Sequence, residues 1–332
     1  MGRFPESGKQ SMKKVAFTIC SNNYLAQAKI LCDSLLLQNK EYEIVICLCD
    51  TFHPEIDYDF FAPHTVIEAA SLWIPCFEDM TSRYSIIELN TSMKPFAFRY
   101  LFDSNPDANL VLYFDPDIEI IAPLDPVEAD LENASIVLTP HILFPVDFDG
   151  LEPTENLFTQ YGIFNLGFLG LKRGKESDEL LRWWAKRMED NCYIRPHEGI
   201  FVDQLPMIYA PVFFDKVLIA KHHGYNVGPW NLYERSITGR HGAYLVNGYW
   251  PLIFYHFSSF RAHNHISNPA EAYSRSCIPE GSAVYELYEM YAEALHGNEY
   301  SRLSRIPCSY ARKAPRVSLK QRIRSVGSRL LR

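Results

Sequence analysis

Apolar runs alternate with amphipathic stretches along most of the chain. Residues 15–20 form a continuous apolar run, which predicts a buried strand, and the polar sequence Ser21-Asn22-Asn23 after it predicts a turn or helix cap. Apolar positions at helical spacing then predict a helix over residues 24–37. Further strands are predicted over residues 43–49 and near 65–69.

The same alternation continues to about residue 260. A helix is predicted over residues 91–102 with Pro95 in its first turn, where a missing N–H does no harm. Asp203 and Gln204 lie in a segment predicted to be a helix or a loop. The remaining predicted elements are strands over residues 110–114, 135–139, 163–171 and 252–257 and a helix over 176–191.

Strands that alternate with helices of ten or more residues predict an α/β fold with a mostly parallel sheet covered on both faces. In such sheets, ligands bind in the crevice at the carboxyl ends of the strands. Ser21, Asp50 and the Asp115/Asp117 pair each lie at the carboxyl end of a predicted strand. These side chains are therefore expected to meet at one edge of the sheet.

Composition sets the size of the fold and excludes one class of function. The chain has 332 residues, of which 47% are hydrophobic, enough for one large domain or for one domain with a C-terminal extension. A net charge of −8 argues against a nucleic-acid-binding protein, which needs a broad basic face. The predicted organisation is a disordered leader (1–11), the α/β domain (12–265), a helical extension (266–311) and a basic tail (312–332).

The cysteines and the apolar runs predict a cytoplasmic location. The eight cysteines have no paired metal-binding spacing, and several lie within apolar runs, which is typical of a reducing compartment. The first fourteen residues lack the apolar stretch of a signal peptide, and no run of about eighteen apolar residues occurs. We therefore expect neither secretion nor a membrane span.

Asp115 and Asp117 carry the strongest chemical signal. They follow the apolar run 110–114 and are separated by Pro116, which holds the preceding residue extended. Alternate residues of an extended chain project to the same side, so both carboxylates reach one Mg²⁺ or Mn²⁺ ion. The alternative is that both aspartates only form a turn at the end of a strand.

His256 ends the apolar run 252–255 and is a candidate third ligand. Two carboxylates and one imidazole leave coordination positions open for phosphate oxygens. The alternative is a hydrogen-bonded histidine without a metal.

Seven segments form an ordered set of motifs along the chain. They are 15–39, Met93-Lys94-Pro95, Tyr113-Phe114-Asp115-Pro116-Asp117, Ile163-Phe164-Asn165-Leu166-Gly167, Val202-Asp203-Gln204, Gly224-Tyr225-Asn226 and Tyr255-His256-Phe257. In these motifs and their order, residues 15–260 resemble glycosyltransferase family 8, which includes glycogenin and bacterial lipopolysaccharide galactosyltransferases.

The resemblance implies a GT-A fold and a metal-dependent hexosyltransferase that uses a nucleotide-sugar, with a UDP-sugar and Mn²⁺ expected and the anomeric configuration retained. Asp115, Asp117 and His256 resemble the metal ligands. Lys94 is similar to a basic residue that reaches the donor phosphate or sugar.

The resemblance also implies roles in sugar and nucleotide binding. Asn165 resembles an asparagine that approaches the reaction centre, and Asp203 with Gln204 resembles an acid–amide pair that binds sugar hydroxyls. Asp203 is also a candidate base or nucleophile. The residues at positions that bind the nucleobase and ribose in the family are Thr18, Ser21, Asn22 and Tyr24.

This chain departs from the family pattern after the metal-binding histidine. Family members have a glycine and then a Lys-Pro-Trp element there, whereas residues 257–262 read Phe-Ser-Ser-Phe-Arg-Ala. The phosphate-binding lysine is missing, and Arg261 is the candidate substitute. Asn165 is followed by Leu166, where a small polar residue is common.

Two further functions compete with the glycosyltransferase hypothesis. One is a phosphohydrolase with Asp115 as nucleophile and Asp117 as acid/base, although such enzymes place the pair after the first strand. The other is a sugar-nucleotide-binding protein without catalysis, an alternative that the missing Lys-Pro-Trp element leaves open.

The tail and three other segments have alternative interpretations. Residues 312–332 carry basic residues and no acid, with apolar residues near helical spacing. They are either a peripheral membrane helix, favouring a glycan or glycolipid acceptor such as a lipopolysaccharide core, or a frayed terminus.

Asp147 and Asp149 predict a solvated loop. Trp183-Trp184 predicts helix packing. Pro229-Trp230-Asn231 predicts an acceptor groove or a buried loop anchor.

Overall fold

The computed structural model describes residues 13–262 and 273–311, so the predicted leader and basic tail lie outside the described residues. The strands are β1 (Lys13–Cys20), β2 (Tyr42–Leu48), β3 (Thr65–Glu68), β4 (Ala108–Phe114), β5 (Ile118–Ile120), β6 (Ile136–Pro140), β7 (Phe164–Lys172), β8 (Ile194–Arg195), β9 (Ile200–Phe201), β10 (Val217–Ile219), β11 (Ile237–Arg240), β12 (Ala243–Val246), β13 (Trp250–Pro251) and β14 (Phe254–His256).

Helices connect most of these strands. They are α1 (Leu25–Gln38), α2 (Phe77–Arg83), α3 (Ile86–Ser92), α4 (Lys94–Ser104), α5 (Asp125–Asn133), α6 (Glu155–Tyr161), α7 (Lys175–Asp190), α8 (Ala210–Phe213), α9 (Ala283–Gly297) and α10 (Tyr300–Leu303). A short 3-10 helix at Asn22–Tyr24 leads directly into α1. Another 3-10 helix, at Leu205–Tyr209, follows Gln204.

The central sheet has seven strands in the order β10-β6-β7-β4-β1-β2-β3. The pairs β1/β2, β2/β3, β1/β4 and β6/β10 are parallel, and β7 runs antiparallel to both of its neighbours, β4 and β6. The predicted α/β fold with a mostly parallel sheet is confirmed. Because β7 is reversed, it begins at the edge where the parallel strands end.

Helices cover both faces of this sheet, as the sequence pattern predicts. Alternate side chains of β1 divide between two hydrophobic clusters: Ala16 packs with α1, α5 and α9, whereas Val15 and Phe17 pack with α4 and α7. Trp184 of α7 is fully buried in the second cluster. The predicted packing role of the Trp183-Trp184 pair is confirmed for Trp184.

The strand predicted over 252–257 is shorter and lies outside the central sheet. Only Phe254–His256 is a strand, and it pairs antiparallel with β5, with His256 opposite Ile118. The Phe257 N–H also donates to the Asp117 carbonyl over 2.8 Å. This ribbon carries His256 to the loop that holds Asp117.

The helix predicted over 91–102 is two helices. Ser85 and Glu88 form a capping box that begins α3 before Thr91, and α4 begins at Lys94 with Pro95 in its first turn. The prediction missed the Ser-x-x-Glu signal, which starts a helix of its own. Two consecutive short helices place Asn90 and Lys94 on the same side of the sheet edge as the β1–α1 loop, where Asn90 donates to Ser21.

The segment after α10 returns to the central sheet. Leu303 and Ile306 are buried in the cluster that contains α1, and the Ser309 N–H donates to the Asp50 carboxylate over 2.8 Å. Helical structure at 283–303 lies within the predicted extension. None of the helices in the described ranges has the length and apolarity needed to cross a membrane.

Candidate active site

Asp115, Asp117 and His256 converge at the carboxyl edge of β4. One ligand atom from each residue lies within 4.8 Å of the others, and this is the cluster of metal-binding type found in the described part of the chain. His256 Nε2 lies 3.1 Å from Asp117 Oδ1 and 3.9 Å from Asp115 Oδ2. The structure therefore brings the three predicted ligands together, and their oxygen and imidazole donors suit Mn²⁺ or Mg²⁺.

A second contact fixes the orientation of the His256 ring. Its Nδ1 lies 3.2 Å from Asn226 Oδ1, and Asn226 Nδ2 donates to Thr139 Oγ1 and Asn165 Oδ1, each over 3.0 Å. Because the Asn226 amide nitrogen has these acceptors, its oxygen faces the imidazole and accepts from Nδ1–H. The lone pair of Nε2 is then directed to the aspartates, as metal coordination requires.

Gly167 makes room for this arrangement. A Cβ on Gly167 would lie 2.6 Å from His256 Cε1 and 2.7 Å from Asn165 Oδ1, well inside van der Waals contact. The Gly167 carbonyl also accepts from the Asp115 N–H over 2.7 Å. The glycine of the Asn165-Leu166-Gly167 motif thus joins β7 to two of the candidate metal ligands.

Lys94 lies behind the acidic pair and is almost completely buried. Its ammonium group is 2.8 Å from Asp203 Oδ2 and 3.5 Å from Asp115 Oδ1, and it donates to the Leu166 carbonyl over 2.8 Å. Burial acts to lower the pKa of Lys94, but attraction to Asp115 and Asp203 outweighs it and the pKa is raised. Lys94 is therefore a fixed cation.

The charges of the candidate ligands are also coupled. Burial acts to raise the pKa of Asp117, but the attraction of His256 outweighs it and lowers that pKa. Burial acts to lower the pKa of His256, yet Asp117 raises it above its ordinary value. Each shift favours the charged form of its group when no cation is bound. A divalent ion would compete with the proton at His256 Nε2.

Asn165 is held by a buried hydrogen-bond network. Its Nδ2 lies 3.1 Å from His141 Nε2, and its Oδ1 accepts from the Gly167 N–H over 2.8 Å. Burial lowers the pKa of His141 to about 3, so the imidazole is neutral and its Nε2 accepts from the amide. Asn165 lies near His256 at the start of the reversed strand β7.

Gln204 and Asp203 have different surroundings. The Gln204 amide donates to the Tyr161 carbonyl over 2.7 Å and accepts from the Leu166 N–H over 3.1 Å. Asp203 is 2% exposed and bound to Lys94. In this structure the Gln204 side chain fixes the position of β7, and the Asp203 side chain fixes that of Lys94.

A cavity of about 230 Å³ opens beside the acidic pair. It is lined on one side by Asp115, Pro116 and Asp117 and on others by α3 and the β1–α1 loop. Among the residues predicted to bind the nucleoside, Ser21 and Tyr24 line this cavity. The other lining residues are Ile19, Cys20, Asn23, Ile86, Ile87, Asn90, Thr91, Tyr113 and Cys308.

Thr18 and Asn22 do not line the cavity. Both are fully buried. The side chain of Asn22 donates to the Thr51 carbonyl over 2.9 Å and accepts from the Tyr58 hydroxyl over 2.7 Å. Asn22 thus holds the β1–α1 loop against the loop after β2, and the next residue, Asn23, reaches the cavity instead.

Arg261 lines a separate cavity of about 250 Å³ with Gln27, Phe260, Tyr300 and Ser304. Asn23 and Tyr24 line both cavities and lie between them. Within residues 13–262 and 273–311, Arg261 has no ion pair. The structure therefore does not bring Arg261 into the cavity of Asp115 and Asp117.

Two segments outside the site match their simpler interpretations. Asp147 and Asp149 are exposed, and Asp149 is bound by Arg275 in a loop. Trp230 and Asn231 are buried and both donate to the His141 carbonyl over 3.1 Å. The Pro229-Trp230-Asn231 segment is a buried anchor for the loop that carries His141.

The sequence pattern missed Asn90, Thr91 and Cys308, and it placed Asn226 in a motif without giving it a role. The Ser85 capping box is a sequence signal that places Asn90 and Thr91 on a helix near the β1–α1 loop. Cys308 gave no such signal, because its contact with Asn23 joins residues far apart in the sequence.

No protein-family model matches the chain. Among curated proteins, it is 27% identical over 275 residues to the uncharacterized protein YfnF of Bacillus subtilis strain 168, covering 82% of this chain and 89% of YfnF. It is also 27% identical over 173 residues to the uncharacterized protein YfnD of the same organism, covering 51% of this chain and 52% of YfnD.

Several solved glycosyltransferases are similar in structure. The galactosyltransferase LgtC in complex with donor and acceptor sugar analogues has a TM-score of 0.49 at 13% identity, covering 85% of this chain and 95% of LgtC. Mouse xyloside xylosyltransferase 1 has a TM-score of 0.45 at 11% identity, covering 74% and 98%. GlyE of Streptococcus pneumoniae TIGR4 has a TM-score of 0.46 at 15% identity, covering 90% and 66%.

Proposed function

We propose that this protein is a metal-dependent glycosyltransferase that takes its sugar from a nucleotide-sugar, with a UDP-sugar as donor. The observation that carries the proposal is the cluster of Asp115, Asp117 and His256, in which the two aspartates also line the cavity that Ser21 and Tyr24 line. Two carboxylates and an imidazole hold one Mn²⁺ or Mg²⁺ ion and leave positions for diphosphate oxygens.

The bound ion would supply positive charge to the diphosphate that leaves the sugar. Asp115 and Asp117 hold that ion, and Asn226 keeps the His256 Nε2 lone pair directed at it. Ser21 and Tyr24, on the cavity wall, bind the ribose and base. Positioning of this kind accounts for much of the catalysis of group transfer.

Lys94, Asp203 and Asn165 form the sugar side of the site. Lys94 places a buried positive charge next to Asp115 and is held there by Asp203. Asp203 is 2% exposed, which favours a role in fixing Lys94 over direct attack on the sugar. Asn165 approaches the donor sugar and the anomeric configuration is retained, as the family resemblance implies. The resemblance gives Gln204 a role in binding sugar hydroxyls, and its side chain accepts from the Leu166 N–H beside Asn165.

The acceptor in this proposal is a glycan or glycolipid. The basic residues of 312–332 would hold the enzyme at the anionic inner face of a membrane, where a lipid-linked acceptor is available. This location is cytoplasmic and peripheral.

A thermal-shift experiment tests the donor and the metal together. UDP-glucose, UDP-galactose and GDP-mannose are added with and without MnCl2, since a ligand at a hundred times its Kd stabilises the native state by about 2.7 kcal/mol. We expect a Tm increase with a UDP-sugar that requires Mn²⁺, and slow Mn²⁺-dependent hydrolysis of that donor. No Tm increase with any of the three would contradict the proposal.

Asp117→Asn tests the site itself. We expect it to abolish transfer and donor hydrolysis while the protein stays folded, because one ligand charge is removed. Asp147→Asn, in the exposed Asp-x-Asp of residues 147–149, is the matched control. Turnover by Asp117→Asn equal to wild type would refute the site assignment.

The same assays separate the two competing functions. Metal-dependent hydrolysis of p-nitrophenyl phosphate without use of a UDP-sugar would favour the phosphohydrolase. Binding of a UDP-sugar without hydrolysis or transfer would favour a binding protein.

A further inference from the structure

Residues 306–311, which we call the C-terminal strap, lie across the loop that follows β2. The Ser309 N–H donates to Asp50 Oδ1 over 2.8 Å, and the Ser309 hydroxyl lies 2.7 Å from that of Thr51. The Tyr310 ring packs edge-on against Phe77 at 5.4 Å. The strap is thus attached to the body of the α/β fold at several points.

Asp50 joins the strap to the β1–α1 loop. This carboxylate is fully buried, and its Oδ2 accepts from the Asn22 N–H over 3.2 Å while Oδ1 accepts from Ser309. The Thr51 N–H also donates to Oδ1 over 3.0 Å, and a buried carboxylate is stabilised by such N–H donors. The strap and the loop therefore share one anchor.

Cys308 brings the strap to the cavity. Its side chain lines the same cavity as Ser21, Tyr24 and Asp117, and its thiol donates to Asn23 Oδ1 over 3.2 Å. Given the proposed function, on which this inference rests, we propose that the C-terminal strap is a wall of the donor-nucleotide pocket and that Cys308 contacts the bound nucleoside.

The chemistry of the cavity supports a nucleoside at this wall. Ile19, Ile86 and Tyr24 give it apolar surfaces for a planar base, and Asn90 and Thr91 add polar groups for the base edge or ribose. A thiol is small and polarisable, so it packs against such a ring without filling the space. The acidic pair at the other side of the cavity would hold the diphosphate.

Protection from alkylation tests the contact directly. The full-length protein is treated with iodoacetamide at pH 8.5, because burial raises the pKa of Cys308, and modification is followed at each cysteine by mass spectrometry. Saturating UDP with MnCl2 is expected to slow modification of Cys308 at least about tenfold. Exposed Cys277, in the same sample, is expected to react at an unchanged rate.

Two failures of this experiment have different meanings. If UDP raises the Tm in the presence of Mn²⁺ but does not slow alkylation of Cys308, the strap is not part of the pocket and the inference is overturned. If none of UDP, GDP or ADP raises the Tm, the proposed function fails and the inference with it.

A bulky substitution separates direct contact from a remote effect. Cys308→Trp is expected to weaken UDP binding by at least about tenfold, or 1.4 kcal/mol, because the indole occupies the cavity. Binding of Mn²⁺ alone is expected to be unchanged. Cys277→Trp is the matched control, and the Tm of each variant shows that it is folded. UDP affinity unchanged in folded Cys308→Trp would overturn the inference.

Discussion

Asn226 Oδ1 lies 3.2 Å from His256 Nδ1, on the side of the imidazole that faces away from Asp117. Asn226 has a left-handed backbone, with φ of +50°, and is 1% exposed. An amide held in this way fixes both the tautomer and the rotation of the ring.

Asn226→Ala is therefore expected to weaken Mn²⁺ binding about 10- to 100-fold, since the imidazole loses the partner that orients it. Isothermal titration of Mn²⁺ measures the change. Asn39→Ala is the control, because Asn39 is also a buried amide but lies outside the candidate metal site. Its side chain hydrogen-bonds backbone groups there. Equal Mn²⁺ affinity in Asn226→Ala and wild type would contradict this role.

Lys94→Met is expected to destabilise the fold by about 3 to 5 kcal/mol, because Asp203 would stay buried without its counter-charge. Adding Asp203→Asn to the Lys94→Met variant is expected to restore part of the lost stability but not the activity. Urea unfolding of the two single variants and the double variant measures the coupling.

The partly exposed pair Lys29–Asp33 is the control for this cycle. Lys29→Met is expected to cost less than about 1 kcal/mol, as exposed pairs do. A similarly small loss in Lys94→Met would show that the buried ion pair does not stabilise the fold.

His222 predicts a pH dependence of stability. Burial lowers its pKa to about 4, whereas the unfolded chain has a value near 6.5. Between these values the unfolded state binds more protons, so the free energy of unfolding falls as the pH is lowered from 6.5 to 4. Partial exposure limits the contribution of His222 to about 1 to 2 kcal/mol.

His222→Asn keeps an acceptor for the Gly224 N–H and removes the titration. Its free energy of unfolding is expected to fall less steeply than that of wild type over the same pH range, measured by urea unfolding at pH 7.5, 5.5 and 4. Exposed His296→Asn is the matched control. Identical slopes in wild type and His222→Asn would contradict the assignment.

Removal of residues 312–332 is expected to abolish sedimentation with liposomes that contain anionic lipid, because the basic residues of the tail are lost. Transfer to a water-soluble acceptor is expected to persist. Equal sedimentation of the shortened and full-length proteins would end the hypothesis of a membrane-binding tail.

The sequence determined the sheet, its helical covering and the acidic pair. Hydrophobic periodicity is local, so β1, β2, β4 and α1 could be predicted close to their observed ends. The spacing of Asp115 and Asp117 predicted that both carboxylates reach one site, but the predicted extended chain is wrong: residues 115–118 form a turn in which the Ile118 N–H donates to the Asp115 carbonyl over 3.1 Å.

Only the tertiary structure decided how distant segments complete the site. The reversal of β7 brings Asn165 to the edge of the acidic pair, and the ribbon of β5 and β14 brings His256 there. The tertiary structure also places Cys308 at the cavity beside the acidic pair and Arg261 at a separate cavity. Such contacts depend on strand pairing and chain closure between residues far apart in the sequence, which local periodicity does not encode.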